Sequence, residues 1–201
     1  MELSVVVEGA GDVPIARRLA ADAGFSTFRE HVCHGKPKLD ALLDKYLQAA
    51  AQRPYLILRD LDEDAACAPD WLGTRRASRW CALRLAVRSA ESWLLADRAR
   101  IAAFLGVAES LVPREPDGLS NPKKELVALS RRSSRRVIRE GICPAQGHVV
   151  GVGPDYTTLL HEFVTKHWRP IVAERSSPSL RRARESVRDL ARRWRSASGE
   201  D

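Results

Sequence analysis

Four acidic residues, Glu8, Asp60, Asp62 and Asp64, stand where apolar runs give out, and their placement carries the clearest chemistry in this 201-residue sequence. Glu8 follows Val5-Val6-Val7 and precedes Gly9, while Asp60, Asp62 and Asp64 close the run that begins at Tyr55. In an open parallel sheet, residues just past the carboxyl ends of neighbouring strands share one crevice, so carboxylates distant in sequence can meet there. Asp60 and Asp62 are two apart and would point to the same side of an extended backbone. Like charges ~4 Å apart repel by ~4 kcal/mol at an effective dielectric of ~20. A divalent cation offsets that repulsion, and Mg²⁺ takes hard oxygen ligands while keeping several waters. Two other readings stay open on spacing alone: Arg59 and nearby cations neutralise an acidic surface loop, or Asp64 caps a short helix. Glu8-Gly9-Ala10-Gly11 also contains the G-x-G of a phosphate loop. The third glycine is missing, and a glutamate at the head of the loop would repel phosphate.

Several cations could serve phosphate. Lys36 and Lys38 flank Pro37 after Gly35, in what reads as a loop between a second strand and a helix. Lys123 and Lys124 follow Asn121-Pro122 at a helix start, where an anion is favoured and a lysine is not unless an anion is present. Arg131, Arg132, Arg135 and Arg136 make the basic end of that helix. Arg181 and Arg182 open a run of arginines on the last helix, whose other face is Leu180, Ala183, Val187, Leu190 and Trp194; a solvated face and a phosphate-binding ridge both fit that pattern. His148, His161 and His167 make a poor metal set, and Trp93, inside an apolar run, reads as core.

The elements that must position these residues alternate. Leu3 to Val7, Phe25 to Val32, Tyr55 to Leu58 and Trp80 to Val87 read as strands. Asp12 to Ala23, Leu39 to Ala51 and a segment from Ser89 or Ala90 through Ala96 and beyond read as helices. That order implies an α/β, Rossmann-like, mostly parallel sheet flanked by helices. From Pro113 the character changes to loops and helices: Asn121 to about Arg136, Tyr156 to His167 and Pro178 to Arg195. The expected organisation is an α/β core over 1–110 and a helical C-terminal extension over 111–201.

Bulk properties narrow the class. Forty-four per cent hydrophobic residues supports a buried core. No apolar run reaches the ~18 residues of a membrane span, and MELSVVVEG reads as a first strand rather than a signal peptide. A cytoplasmic location is therefore expected. Cys33, Cys67, Cys81 and Cys143 form no C-x-x-C pair, which argues against a zinc ribbon and for ordinary reduced thiols. The net charge of +7 favours phosphate-rich partners, although arginine-rich chains are often basic without binding nucleic acid.

A hydrophobic strand ending in Glu-Gly, then a later strand ending in Asp-x-Asp, resembles the signature of Toprim domains; here the two segments are VVVEGAGD and LILRDLDED. The chain is further similar to a group of small bacterial Toprim-like proteins, related to nucleases of the overcoming-lysogenisation-defect type, in RLAVRSAESWLLAD (84–97), LSNPKKEL (119–126), VGPDYTTLLHEFV (152–164) and SSPSLRRA (176–183). The resemblance implies a Toprim-like fold with Glu8 as general acid/base or metal ligand and Asp60 and Asp62, with Asp64 beside them, holding Mg²⁺ (or Mn²⁺). It implies second-site roles for Arg88 and Glu91. In that group an acidic residue often follows the arginine, and this chain has Ser89 there, so the resemblance implies one well-held metal and a second held weakly or not at all.

Two functions compete. One is an Mg²⁺-dependent nuclease or related phosphoryl-transfer enzyme acting on nucleic acid, DNA before RNA, with the resemblance extending to proteins associated with phage defence. The other is a catalytically degenerate nucleic-acid or nucleotide-binding subunit beside an ATPase partner, which Ser89 favours. No membrane partner is expected, and an oligomer is compatible with the sequence. A purely structural protein is disfavoured by carboxylates placed at strand ends.

Overall fold

A computed structural model of the chain describes residues 1–75, 77–145 and 151–199; His148 lies outside them. The elements run β1 (Glu2–Val7), α1 (Val13–Asp22), β2 (Thr27–Val32), α2 (Lys36–Ala49), β3 (Tyr55–Asp60), α3 (Ala68–Leu72), β4 (Cys81–Ala86), α4 (Ala90–Leu95), α5 (Arg98–Leu105), α6 (Pro122–Arg131), α7 (Arg136–Ile142), α8 (Tyr156–Lys166), α9 (Pro170–Ala173) and α10 (Pro178–Ser198). They divide into two compact units, Met1–Val87 with Ser179–Asp201, and Arg88–Pro178. The sequence pattern had placed a boundary near 110; the first unit is discontinuous because the last helix belongs with the strands.

The first unit is α/β and Rossmann-like. Its four strands form one all-parallel sheet in the order β2-β1-β3-β4, with Val7 opposite Val32 and Leu58, and Asp60 opposite Ala86. Strands buried on both faces read as continuous apolar runs, and β1 and β3 are buried almost throughout. On one face Leu39, Leu43 and Leu47 of α2 pack on Val6, Tyr55, Ile57 and Leu83. Four residues of α10 expected on its apolar face, Leu180, Ala183, Val187 and Leu190, are fully buried. Strand order reverses between β1 and β3, so the loops leaving their carboxyl ends diverge and open a crevice there.

The second unit is helical, with Trp93 at its centre. Trp93 is 0% exposed, and its carbonyl accepts the Trp168 indole N–H at 3.1 Å. Two helices expected as continuous are broken. The segment from Ala90 stops after Leu95 and resumes at Arg98; between them the buried Asp97 carboxylate takes a two-pronged ion pair and the backbone N–H of Arg169. The helix from Asn121 stops at Arg131 because the Ser133 hydroxyl accepts the Arg135 amide at 2.9 Å, a local bond that competes with the helical ladder. Arg131, Arg132, Arg135 and Arg136 thus straddle a break instead of ending one helix. Conversely, α2 begins earlier than expected: Lys36 and Lys38 lie in its first turn, with Pro37 where a missing N–H costs nothing.

Cys33, Cys67, Cys81 and Cys143 are free thiols. Among the described residues no helix is long and apolar enough to cross a membrane.

Trp93→Ala should cost about 3–5 kcal/mol, the range for emptying a large buried aromatic. It would be read as a lower urea midpoint, with Val137→Ala, at a site 53% exposed, staying within about 0.5 kcal/mol of wild type.

Candidate functional site

Glu8 is the first residue after β1, and Val7 pairs with Leu58 of β3, so its side chain emerges beside the end of that strand. Its Oε1 accepts the backbone N–H of Asp60 at 2.8 Å. Glu8 therefore meets the backbone of the Asp60 strand end at the crevice where the strand order reverses. Burial pushes the Glu8 carboxyl up to about 7; the Asp60 N–H and Arg59 pull against this, while the negative charges of Asp12 and Asp62 add to it.

Asp12 was not singled out in the sequence. Its Oδ2 accepts the Gly9 amide at 3.0 Å, which folds the Glu8–Asp12 turn and brings a second carboxylate toward Glu8. The four-residue spacing across two glycines was the available signal.

Asp62 departs from expectation. It does not continue β3 but sits in a turn with φ +46°, after the Leu61 amide has bonded the Ala86 carbonyl at 2.9 Å. Asp60 and Asp62 thus do not share one extended backbone. The turn directs Asp62 Oδ2 to Lys36 Nζ at 2.7 Å, and the same ammonium lies 2.9 Å from Asp64. Lys36 is brought there by the Gly35 amide, which donates to the Glu8 carbonyl at 2.9 Å. Gly35 itself has φ +119°, a conformation that favours glycine. Burial works against the Lys36 charge, but Asp62 and Asp64 outweigh it and raise its pKa. Lys38, two residues along in the same turn, is exposed.

Arg59 organises the remainder. Its guanidinium is 2% exposed. It grips Asp40 with two bonds of 2.7 and 2.8 Å, donates to Asp64 at 2.7 Å and to the Asp60 carbonyl at 2.6 Å, and stacks 4.2 Å over Trp71. Bonding to Lys36 holds the Asp64 carboxyl below its usual range against some burial, with Arg59 adding to the effect. Asp64 is thus neutralised by two cations, as the alternative reading of the acidic loop anticipated.

The other candidates fall in the second unit or on α10. Glu91 is a half-buried carboxylate with both oxygens engaged: Oε2 accepts the Ser89 hydroxyl at 2.6 Å and Oε1 the Tyr156 hydroxyl at 2.8 Å. Lys123 Nζ lies 3.8 Å from Oε1 and 5.4 Å from the Tyr156 ring centre. Lys123 itself is exposed, at the start of a helix capped by Asn121, whose Oδ1 takes the Lys124 amide at 2.8 Å. Tyr156 is aimed by a tight backbone crossing: the Gly153 amide bonds the Ile142 carbonyl at 2.8 Å, and a Cβ at Gly153 would collide with the Gly141 and Cys143 carbonyls. Arg88 is half-buried, and Arg181 and Arg182 are exposed on α10.

Among the described residues, no three His, Cys, Asp or Glu side chains stand together as a ready metal cage. Mg²⁺ needs less than a cage, since one or two carboxylates and its own waters satisfy it. A half-buried Glu8 pressed by Asp12 and Asp62 is a donor set that a cation would stabilise, so the residues fit such an ion.

The chain matches none of the protein-family models, curated proteins or solved structures with which it was compared.

The raised Glu8 pKa has a stability consequence. Between the ordinary 4.5 and about 7, the folded chain keeps a proton that the unfolded chain has released. Stability therefore falls as pH rises through that window. Glu8→Gln keeps an oxygen for the Asp60 amide and removes the ionisation. With a chelator present, its melting temperature relative to wild type should climb from pH 4.5 to pH 8. The gain should be about 1–2 kcal/mol once solvent screening of a half-exposed carboxyl is allowed for. A pH-independent difference would show that Glu8 titrates normally.

Proposed function

We propose that this protein is a Mg²⁺-dependent phosphoryl-transfer enzyme of Toprim type, a nuclease acting on nucleic acid in the cytoplasm. One observation carries the reading: the half-buried Glu8 carboxylate, with a pKa lifted to about 7, faces the Asp60 strand end at the crevice where the strand order reverses. A carboxyl of that pKa can take and return a proton near neutrality, as general acid/base chemistry requires. Asp60 and Asp62 would hold Mg²⁺, which when bound supplies positive charge for a phosphoryl oxygen and a water of lowered pKa, with Glu8 beside them as the proton carrier or, in the alternative, as a further ligand. Lys36, shared between Asp62 and Asp64, would bond a phosphate oxygen were Asp62 to hold the ion. Arg59 fixes the backbone of the Asp60–Asp64 turn and keeps Asp64 out of the ligand set. The resemblance in the Glu-Gly and Asp-x-Asp segments supports the same assignment.

A second reading has its own support. Lys36 and Arg59 already neutralise Asp62 and Asp64 without a metal, which suits a degenerate site in a nucleic-acid-binding subunit working beside an ATPase.

Asp60→Asn separates the two. It keeps the shape and the backbone N–H that Glu8 accepts, and removes one negative charge. For the enzyme, cleavage of labelled DNA or RNA with Mg²⁺ or Mn²⁺ should fall by more than about 100-fold, while nucleic-acid binding and the melting temperature hold. A binding subunit shows no divalent-dependent turnover in wild type and no change in the variant. Unfolding of the variant would make Asp60 a structural carboxylate and remove the basis for the enzyme.

A further inference from the structure

We infer that a basic hollow at the amino-terminal ends of the strands, lined by Arg79, Trp80, Arg192 and Arg193, anchors the phosphodiester backbone of a nucleic-acid strand away from the carboxylates. The inference extends the proposed function, and rests on it for the ligand being nucleic acid.

The position follows from the parallel sheet. Trp80 immediately precedes β4, whereas Glu8 and Asp60 lie at the opposite ends of their strands. Six-residue strands are about 20 Å long, so the two places are several phosphates of a nucleic-acid strand apart. No single small anion can occupy both places, whereas one strand can reach from one to the other.

The hollow is about 610 Å³ in volume, and three guanidinium groups line it against one carboxylate, Asp189. That carboxylate is shared. It takes Arg192 Nη2 at 2.5 Å, and its charge also acts on Arg84 of β4, whose Nε is shielded from solvent with no hydrogen-bond partner among the described residues. One acid cannot neutralise this set, so the lining keeps a positive excess. The next hollow along α10, about 390 Å³, sets Arg188, Arg192 and Arg195 against Asp22, Glu185 and Asp189 and is balanced. Charge therefore selects the first.

The cations there are also held in place. The Arg79 guanidinium lies 4.4 Å from the centre of the Trp80 ring, and Trp80 meets Trp194 edge-on at 5.1 Å. Arg193 Nη1 donates to the Arg79 carbonyl at 2.7 Å. A guanidinium stacked by its face keeps its N–H edges for phosphate oxygens, and cations fixed beforehand lose less freedom on binding. Counting those of the hollow, α10 carries seven arginines and two acids, a field that draws a polyanion and not a single small anion.

The test is fluorescence anisotropy of a labelled 30-nucleotide single strand with the full chain in a chelator, so that no turnover intrudes, over a series of salt concentrations. Wild type should bind with a steep salt dependence. Arg79→Gln with Arg192→Gln should weaken binding by about tenfold or more and flatten the log–log salt slope by about 1.4, the loss of two phosphate contacts on a single strand. Arg79→Lys with Arg192→Lys, which keeps the charge and loses the stacked fork, should restore the salt slope and only part of the affinity, and Arg181→Gln with Arg182→Gln should cost much less. Equal binding by wild type and the first variant overturns the anchor, as does failure of the folded lysine pair to restore the salt slope. Full competition by millimolar inorganic phosphate or a four-nucleotide strand makes the hollow a site for a small anion and also overturns it. Cleavage assays on the same proteins keep the two proposals apart. Cleavage that ignores these arginines leaves the enzyme and removes the anchor; binding through them without any cleavage does the reverse.

Discussion

A buried guanidinium governs the candidate site. Arg59, at the end of β3, has almost no contact with solvent, and an uncompensated charge there would cost several kcal/mol. The surrounding chain is arranged to satisfy it: the Asp40 carboxylate comes from α2, Asp64 returns from the following turn, the Asp60 carbonyl folds back, and Trp71 covers the flat face. With Arg59 so matched, the turn from Asp60 to Asp64 has little freedom. Asp62 is forced through a left-handed backbone and out toward Lys36.

The consequence is a division of labour among acids that look equivalent in sequence. Asp40 and Asp64 serve Arg59, and Asp62 and Asp64 serve Lys36. Glu8 receives a backbone N–H and no side-chain cation among its described hydrogen bonds, and it lies close to Asp12 and Asp62. Charge that is paired stabilises a loop; charge left partly uncompensated in a half-buried crevice is what binds a cation or moves a proton. The same logic separates Asp97, locked by Arg169 in the core of the helical unit, from Glu91, which is presented to two hydroxyls and a lysine whose stem is exposed.

Parallel topology gives the molecule two chemically different ends. Every strand in the sheet runs the same way, so the carboxyl ends of β1 and β3 bring Glu8 and the Asp60–Asp64 turn to one edge, while the amino-terminal ends place Arg53, Arg79 and Trp80, with Glu2, beside residues of α10. An antiparallel sheet would have mixed these residues.

Much of this was determined by the sequence alone. Apolar runs mark the three buried strands β1, β3 and β4, while β2 is a more exposed strand at the edge of the sheet, and the period of Leu39, Leu43 and Leu47 or of Leu180, Ala183, Val187 and Leu190 fixes the helices, because burial on a repeating geometry leaves a repeating pattern. Strand ends are legible for the same reason, and with them the meeting of Glu8 and Asp60. What only the tertiary structure decided are the pairings: Arg59 with Asp40, Lys36 with Asp62, Tyr156 with Glu91, and α10 with the sheet instead of with the helices that precede it in sequence. The breaks at Asp97 and Ser133 belong to the same class. Each rests on one polar contact between positions with no periodic relation, and a hydrogen bond or ion pair of fixed length is satisfied by three-dimensional position, which composition and spacing do not encode.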